Sequence, residues 1–226
     1  MDNEGHERPS TAFPEVPLGS RHDRNSGRPT DRRRQEVAFE AARILATEGQ
    51  RNYRSAKEKA AHRLGVPVHG GLPSNSEVEA ELKRYQALYG GDAHRAAVND
   101  LREAAIEAMT FFERFRPKLV GPVLEGTADE HSRVTLHLFC ETPDEVVQFL
   151  MRNRMPFEQE TRRIRWHDGS FRDLDLVVVE ADGAVFELAL MAGAAWRQPP
   201  PDPVDGRPQR RAGIGEIRGL LDASGP

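Results

Sequence analysis

Gly126 and Thr127 stand between two apolar segments of the chain, and their types suit them to bind a phosphate group. Glycine lets the backbone approach a phosphate closely because it carries no Cβ atom. A threonine hydroxyl and the backbone N–H groups beside it can donate hydrogen bonds to phosphate oxygens. We therefore interpret this pair as a candidate phosphate-binding turn.

Thr135 and His137 lie two residues apart in the apolar segment VTLHLF. Side chains with this spacing on a β-strand point to the same face of the sheet, so both are expected to line one cleft. Thr135 is a candidate phosphate-binding residue. His137 is a candidate catalytic residue, because imidazole exchanges protons near neutral pH. The alternative is a structural histidine whose ring is hydrogen-bonded to a backbone carbonyl within the sheet.

Glu187 lies between Phe186 and Leu188 in another apolar segment. A carboxylate in the middle of a central strand is costly unless it is paired or solvated. Two interpretations explain it equally well. Glu187 is either a second catalytic candidate in a functional cleft or one half of a buried ion pair with a nearby arginine.

Metal ligands are expected, if anywhere, directly after the Gly-Thr turn. Asp129 and Glu130, followed by His131, offer oxygen and nitrogen atoms there, and Mg²⁺ prefers carboxylate oxygens. The alternative interpretation is that these three residues are ordinary polar residues of a loop. Asp173 and Asp175 have the spacing of a metal-binding carboxylate pair, but no Gly-Thr turn precedes them.

Two groups of arginines are candidate contacts for a nucleic acid, since guanidinium groups bind the phosphate backbone. The alternative for both groups is a solvated charged face. They comprise Arg162, Arg163 and Arg165 in one segment and Arg210 and Arg211 in another.

The elements that must position these residues follow from the spacing of apolar side chains. Four amphipathic helices are predicted in the first half of the chain, and Ser74 with Glu77 forms a capping box for the third. After Pro117 the pattern changes to strands, with one helix among them and a hairpin at 181–183. The predicted helices end near Gly49, Gly65, Gly90 and Phe115. The predicted strands are 119–124, 134–139, 162–166, 174–179 and 185–191, with helices at 145–151 and 214–221.

These elements predict an α+β fold in which a helical module precedes a small mixed sheet with covering helices. The expected organisation is a disordered tail at 1–30, a helical module at 31–92, an α/β domain at 93–195, and a proline-rich segment with a short helix at 196–226. A single cysteine among 226 residues excludes an intramolecular disulfide and a four-cysteine zinc site. With no apolar run long enough for a bilayer and no secretory signal, a cytoplasmic location without a membrane partner is expected.

The order of long helix, apolar segment, Gly126-Thr127 and second apolar segment 134–139 resembles the DNA polymerase beta-type nucleotidyltransferase superfamily, especially its small bacterial members. The resemblance covers about 90 residues and implies a nucleotidyltransferase-type fold. In that family the second strand carries Asp-x-Asp and a later strand supplies a third carboxylate, and these groups bind two divalent ions. Here the two positions are Thr135 and His137, and the third is Glu187.

The segments 115–130 and 203–212 also resemble bacterial proteins loosely grouped as nucleotidyltransferases. Together the resemblances imply a divergent nucleotidyltransferase-like protein that binds a nucleotide or phosphate at the Gly-Thr turn, with a degenerate active site. Because Thr and His are poor ligands for Mg²⁺, the sequence leaves open whether the protein is an enzyme. The alternative is a non-catalytic regulatory module that binds RNA or a protein partner.

Overall fold

The computed structural model describes residues 29–50, 52–68, 71–129, 132–193 and 197–223. The tail expected to be disordered therefore lies outside the described residues, except for its last two positions. Those two begin the first helix. None of the helices in the described ranges is both long and apolar enough to cross a membrane.

Three helices form the first module: α1 (Pro29–Thr47), α2 (Tyr53–Arg63) and α3 (Asn75–Tyr85). Their shared core is rich in alanine, and small side chains allow the helices to pack closely. The capping box predicted for α3 is confirmed, since Ser74 and Glu77 exchange both hydrogen bonds.

A π-helical turn, Gln86–Gly90, connects α3 to α4 (Gly91–Phe111), and a 3₁₀ turn follows at Glu113–Phe115. The predicted fourth helix is confirmed in substance, but its α-helical part ends at Phe111 and its last turn is tighter. Pro117 lies directly beyond, where its ring restricts the preceding residue to non-helical conformations.

The predicted strand 119–124 is wrong in its second half. Strand β1 (Lys118–Val120) ends directly before Gly121, whose φ is +73°. Pro122 then begins the short helix α5 (Pro122–Glu125). Proline is favoured in the first turn of a helix because its fixed φ suits that position and its missing N–H is not needed there. The Gly-Thr pair therefore follows a helix rather than a strand.

The remaining elements lie close to their predicted positions. They are β2 (Val134–Phe139), α6 (Pro143–Arg152), β3 (Glu158–Arg165), β4 (Phe171–Ala181), β5 (Ala184–Met191) and α7 (Ile214–Ala223). The predicted hairpin is confirmed between β4 and β5. Asp182 and Gly183 have φ values of +49° and +81°, as its tight turn requires.

The five strands form one open mixed sheet in the order β1-β2-β5-β4-β3. Strands β2 and β5 are parallel, and the other pairs are antiparallel. The fold is thus α+β, as predicted. One face of the sheet, which we call the packed face, carries Val134, Leu136, Phe186 and Leu188 against α4 and α6. The opposite face, which we call the polar face, carries the alternate residues of the same strands.

Candidate functional site

A cleft of about 620 Å³ lies between the polar face and the helical module. It brings together Thr127, Thr135 and Glu187 among the predicted site residues, with Arg162 and Asp129. Thr135 and Glu187 lie close together because the register of the parallel strands β2 and β5 places them directly beside each other. The wall formed by the module is less charged.

Apolar and amide side chains form that module wall. They are Leu45, Ala46, Gln50, Asn52, Tyr53, Leu82 and Gln86.

Glu187 is held in a buried ion pair. Its side chain accepts two hydrogen bonds from Arg162, Nη1 to Oε1 at 3.0 Å and Nη2 to Oε2 at 2.6 Å. Arg133 Nη1 donates to the same carboxylate at 3.5 Å. The carboxylate side chain is 8% exposed, whereas that of Arg162 is 49% exposed. The bond with Glu187 raises the pKa of Arg162. These contacts favour the ion-pair interpretation of Glu187 over a free catalytic carboxylate.

His137 is almost completely buried, with 2% of its surface exposed. Its Nδ1 accepts a hydrogen bond from Arg211 Nε at 3.0 Å, so the ring proton lies on Nε2. Burial and the nearby Arg211 charge lower the pKa of His137 to about 3. The ring is therefore neutral near pH 7 and poorly suited to exchange protons there. The alternative of a structural histidine is favoured, with an arginine as its partner in place of a backbone carbonyl.

The Gly126-Thr127 turn differs from the expected phosphate-binding turn in its backbone. Gly126 has a φ of +76° and ends α5. The N–H groups of Thr127 and Ala128 donate to the carbonyl oxygen of Pro122 at 2.9 and 3.2 Å. These groups are used within the turn, so phosphate binding at Gly126-Thr127 stays a prediction that depends on the side chain of Thr127, which lines the cleft.

Three side chains that sequence reasoning missed hold this turn in place. Gln86 Nε2 donates to the carbonyl oxygen of Thr127 at 3.1 Å, and His94 Nε2 donates to that of Gly126 at 3.2 Å. Arg102, which is buried, donates to the carbonyl oxygens of Val123 and Leu124. Burial also lowers the pKa of Arg102. All three come from the π-helical turn and α4, so these elements position the Gly-Thr turn.

The candidate Mg²⁺ ligands that follow the Gly-Thr turn are described only in part. Asp129 accepts a hydrogen bond from the Ser132 hydroxyl at 2.7 Å, as a loop residue does. Glu130 and His131 lie outside the described residues. Within the described ranges, no group of three histidine, cysteine, aspartate or glutamate residues is placed to hold a metal ion. Asp173 and Asp175 lie on the packed side of β4, away from Glu187.

The candidate nucleic-acid arginines are divided between the two sides of the sheet. Arg162 faces the cleft, whereas Arg163 and Arg165 point to the other side of β3 because neighbouring residues on a strand alternate. Arg163 lies over the ring of Phe171 at 5.3 Å. Arg210 forms ion pairs with Glu125 of α5 and Glu216 of α7. Arg211 donates a hydrogen bond to His137. Each of these side chains except Arg165 thus has a described contact within the protein.

No family model matches the sequence, and neither a curated protein nor a solved structure matches it. The resemblance to nucleotidyltransferases therefore depends on the motif residues and on the order of the elements. Function must be argued from the chemistry of the cleft.

Proposed function

We propose that this chain is a nucleotidyltransferase-like protein that binds a nucleotide in the cleft and does not catalyse metal-dependent transfer. The observation that carries the proposal is the convergence of Thr127 and Thr135 with two arginines, Arg133 and Arg162, in one cavity of about 620 Å³. A cavity of this size is typical of small-molecule sites. Its charged wall and its uncharged wall of apolar and amide side chains suit a ligand that has both phosphate groups and an uncharged part.

The arginines have hydrogen-bonding capacity left for phosphate oxygens. A guanidinium group carries five N–H donors, and Arg162 directs two of its nitrogens to Glu187. The side chains of Arg162 and Arg133 are about half and one third exposed, so part of each remains accessible. Glu187 then acts as a positioning residue that holds both guanidinium groups at the cleft. Planar guanidinium groups suit phosphate better than ammonium groups do.

Binding without transfer agrees with the residues at the two positions where the resemblance places metal-binding carboxylates. Thr135 and His137 replace the carboxylates that bind metal ions in the superfamily. Glu187 is neutralised by arginines, and the ring of His137 is buried and neutral. No step through Mg²⁺ is therefore assigned to this cleft.

Calorimetric titration with ATP, in Mg²⁺ and then in EDTA, tests the proposal. We expect saturable binding in both conditions and about fivefold weaker binding by Thr127→Val, since loss of one hydrogen bond costs about 1 kcal/mol. Thr161→Val is the matched control, because Thr161 lies on β3 and points away from the cleft. Absence of binding, or a strict requirement for Mg²⁺, would overturn the proposal. RNA binding with a steep salt dependence would favour the regulatory alternative.

A further inference from the structure

A second cavity of about 290 Å³ adjoins the cleft and shares Thr127, Thr135 and Arg162 with it. It lies between the polar face of the sheet and the C-terminal segment 197–213. We call this cavity the slot. The apolar part of its sheet wall consists of Ile164, Leu174, Leu176 and Ala189, and the same wall also contains Thr135, His137, Arg162 and Glu187. Its outer wall contains Pro200, Pro201 and Pro203.

The outer wall is fixed at several points along the C-terminal segment. Asn75 Nδ2 donates to the carbonyl oxygen of Pro203 at 2.7 Å, which ties the segment to the start of α3. At the other end, Leu119 and Ala212 exchange two backbone hydrogen bonds of 2.9 Å. Proline has no N–H group and a restricted φ, so these residues give the slot a stiff wall without backbone donors.

We propose that the slot takes the base of the nucleotide, while its phosphate groups bind at Thr127 and Arg162 in the adjoining cleft. This inference rests on the function proposed above and adds which part of the ligand enters which cavity. A flat heteroaromatic ring fits between two apolar walls, because it buries both faces and keeps its polar edge at the rim. At ~30 Å³ per water molecule, the slot holds about ten waters, which is more than enough space for a purine ring.

The rim supplies the polar groups that a base requires. Gln209 and Glu79 line the slot, and their amide and carboxyl groups can accept and donate hydrogen bonds at the edge of a base. Burial raises the pKa of Glu79. A mainly apolar pocket with a few polar groups is the usual composition of a site for a small organic ligand.

Comparison of ATP with inorganic tripolyphosphate on the full chain tests the inference. We expect wild-type protein to bind ATP at least tenfold more tightly, because only ATP places a base in the slot. In Ile164→Trp, the larger side chain fills the slot, and ATP affinity should fall to that of tripolyphosphate. Tripolyphosphate affinity should not change, since Ile164 does not line the cleft. Thr161→Trp adds the same ring on the other side of β3 and should change neither affinity.

The outcomes separate the two proposals. If ATP and tripolyphosphate bind wild-type protein equally, the slot is overturned and phosphate binding in the cleft remains. If ATP binding survives Ile164→Trp unchanged, the slot is again overturned. If neither ligand binds, the proposed function fails and the inference fails with it. Should Ile164→Trp not fold, the wild-type comparison of the two ligands still decides.

Discussion

The two faces of the central sheet are built from the same strands, yet on β2 and β5 only one of them carries buried polar residues. On β2 and β5, the packed face carries only apolar side chains, and all of them are buried in one core. The alternate residues of the same two strands point to the polar face, and they include Thr135, His137 and Glu187. Each of the last two is satisfied by an arginine from another part of the chain.

This difference separates stability from binding. Apolar burial stabilises the fold without regard to direction, so the packed face needs only shape and volume. Buried polar groups are costly unless each finds a partner, so the polar face depends on a few specific contacts. Substitutions on the two faces should therefore have different costs.

The largest loss of stability is expected for Leu136→Ala on the packed face. Leu136 is fully buried, and removal of its side chain leaves a cavity that the close-packed core cannot fill. We expect the free energy of unfolding to fall by about 3 kcal/mol, measured by urea denaturation. Leu174→Ala, at a half-buried position of the polar face, is the matched control and should cost less. Equal costs would contradict the contrast between the faces.

A smaller loss is expected for Arg162→Leu on the polar face. It leaves the buried Glu187 carboxylate with Arg133 at 3.5 Å as its remaining described arginine contact, and we expect a cost of about 2 kcal/mol. This cost is lower than that of breaking a fully buried ion pair, because the side chain of Arg162 is half exposed. Glu187→Gln should cost less, since the freed guanidinium can turn toward water. Urea denaturation measures the loss of stability in both variants. If Glu187→Gln cost more than Arg162→Leu, the buried carboxylate would not be the group that depends on the ion pair.

The pH dependence of stability should report on His137. Its pKa is lowered from 6.5 to about 3 in the folded protein, so the unfolded chain binds a proton first as the pH falls. Stability is therefore present above about pH 6.5 and is lost toward pH 3, by at most about 1.4 kcal/mol per pH unit in between. His137→Gln should remove this part of the slope, whereas the same substitution at the exposed His62 should not. An unchanged slope in His137→Gln would rule out this contribution.

The smallest effect is expected for Thr135→Val. Thr135 is half buried at the edge of the cleft, so loss of its hydroxyl should change stability by less than about 0.5 kcal/mol. The reciprocal change at the preceding residue, Val134→Thr, puts a hydroxyl into the packed core and should cost about 1–2 kcal/mol. Thermal unfolding of the pair measures the contrast between adjacent residues, and similar shifts in Tm would refute it.

Much of the fold could be predicted from the sequence because its signals are local. Helix periodicity, the Ser74 capping box and the Asp182-Gly183 turn each depend on a few neighbouring residues. The segment after β1 could not be assigned, because a short apolar run fits a buried strand and a helical turn equally well. There the conformations of Gly121 and Pro122 decided the outcome.

Less of the candidate site could be predicted. Spacing placed Thr135 and His137 on one face, but it could not show what each side chain would contact. The partners of Glu187 and His137 come from residues 25 and 74 positions away, and the order of the strands and the path of the C-terminal segment bring them near. Gln86, His94 and Arg102 carried no motif, since their role lies in the backbone carbonyls that they bind.

The place of β5 in the sheet has a consequence for the order in which the protein forms during synthesis. This strand is the last of the five in the chain, yet it lies in the middle of the sheet, between β2 and β4. Until it leaves the ribosome, β1 can find its neighbour in the sheet only in β2, and β3 only in β4. The pairing of β5 with β2 joins segments that lie far apart in the chain, and pairings of this kind are slow to form. The strand that joins these two pairs also brings Glu187, so the sheet and the anchor of its arginines are completed in the same event.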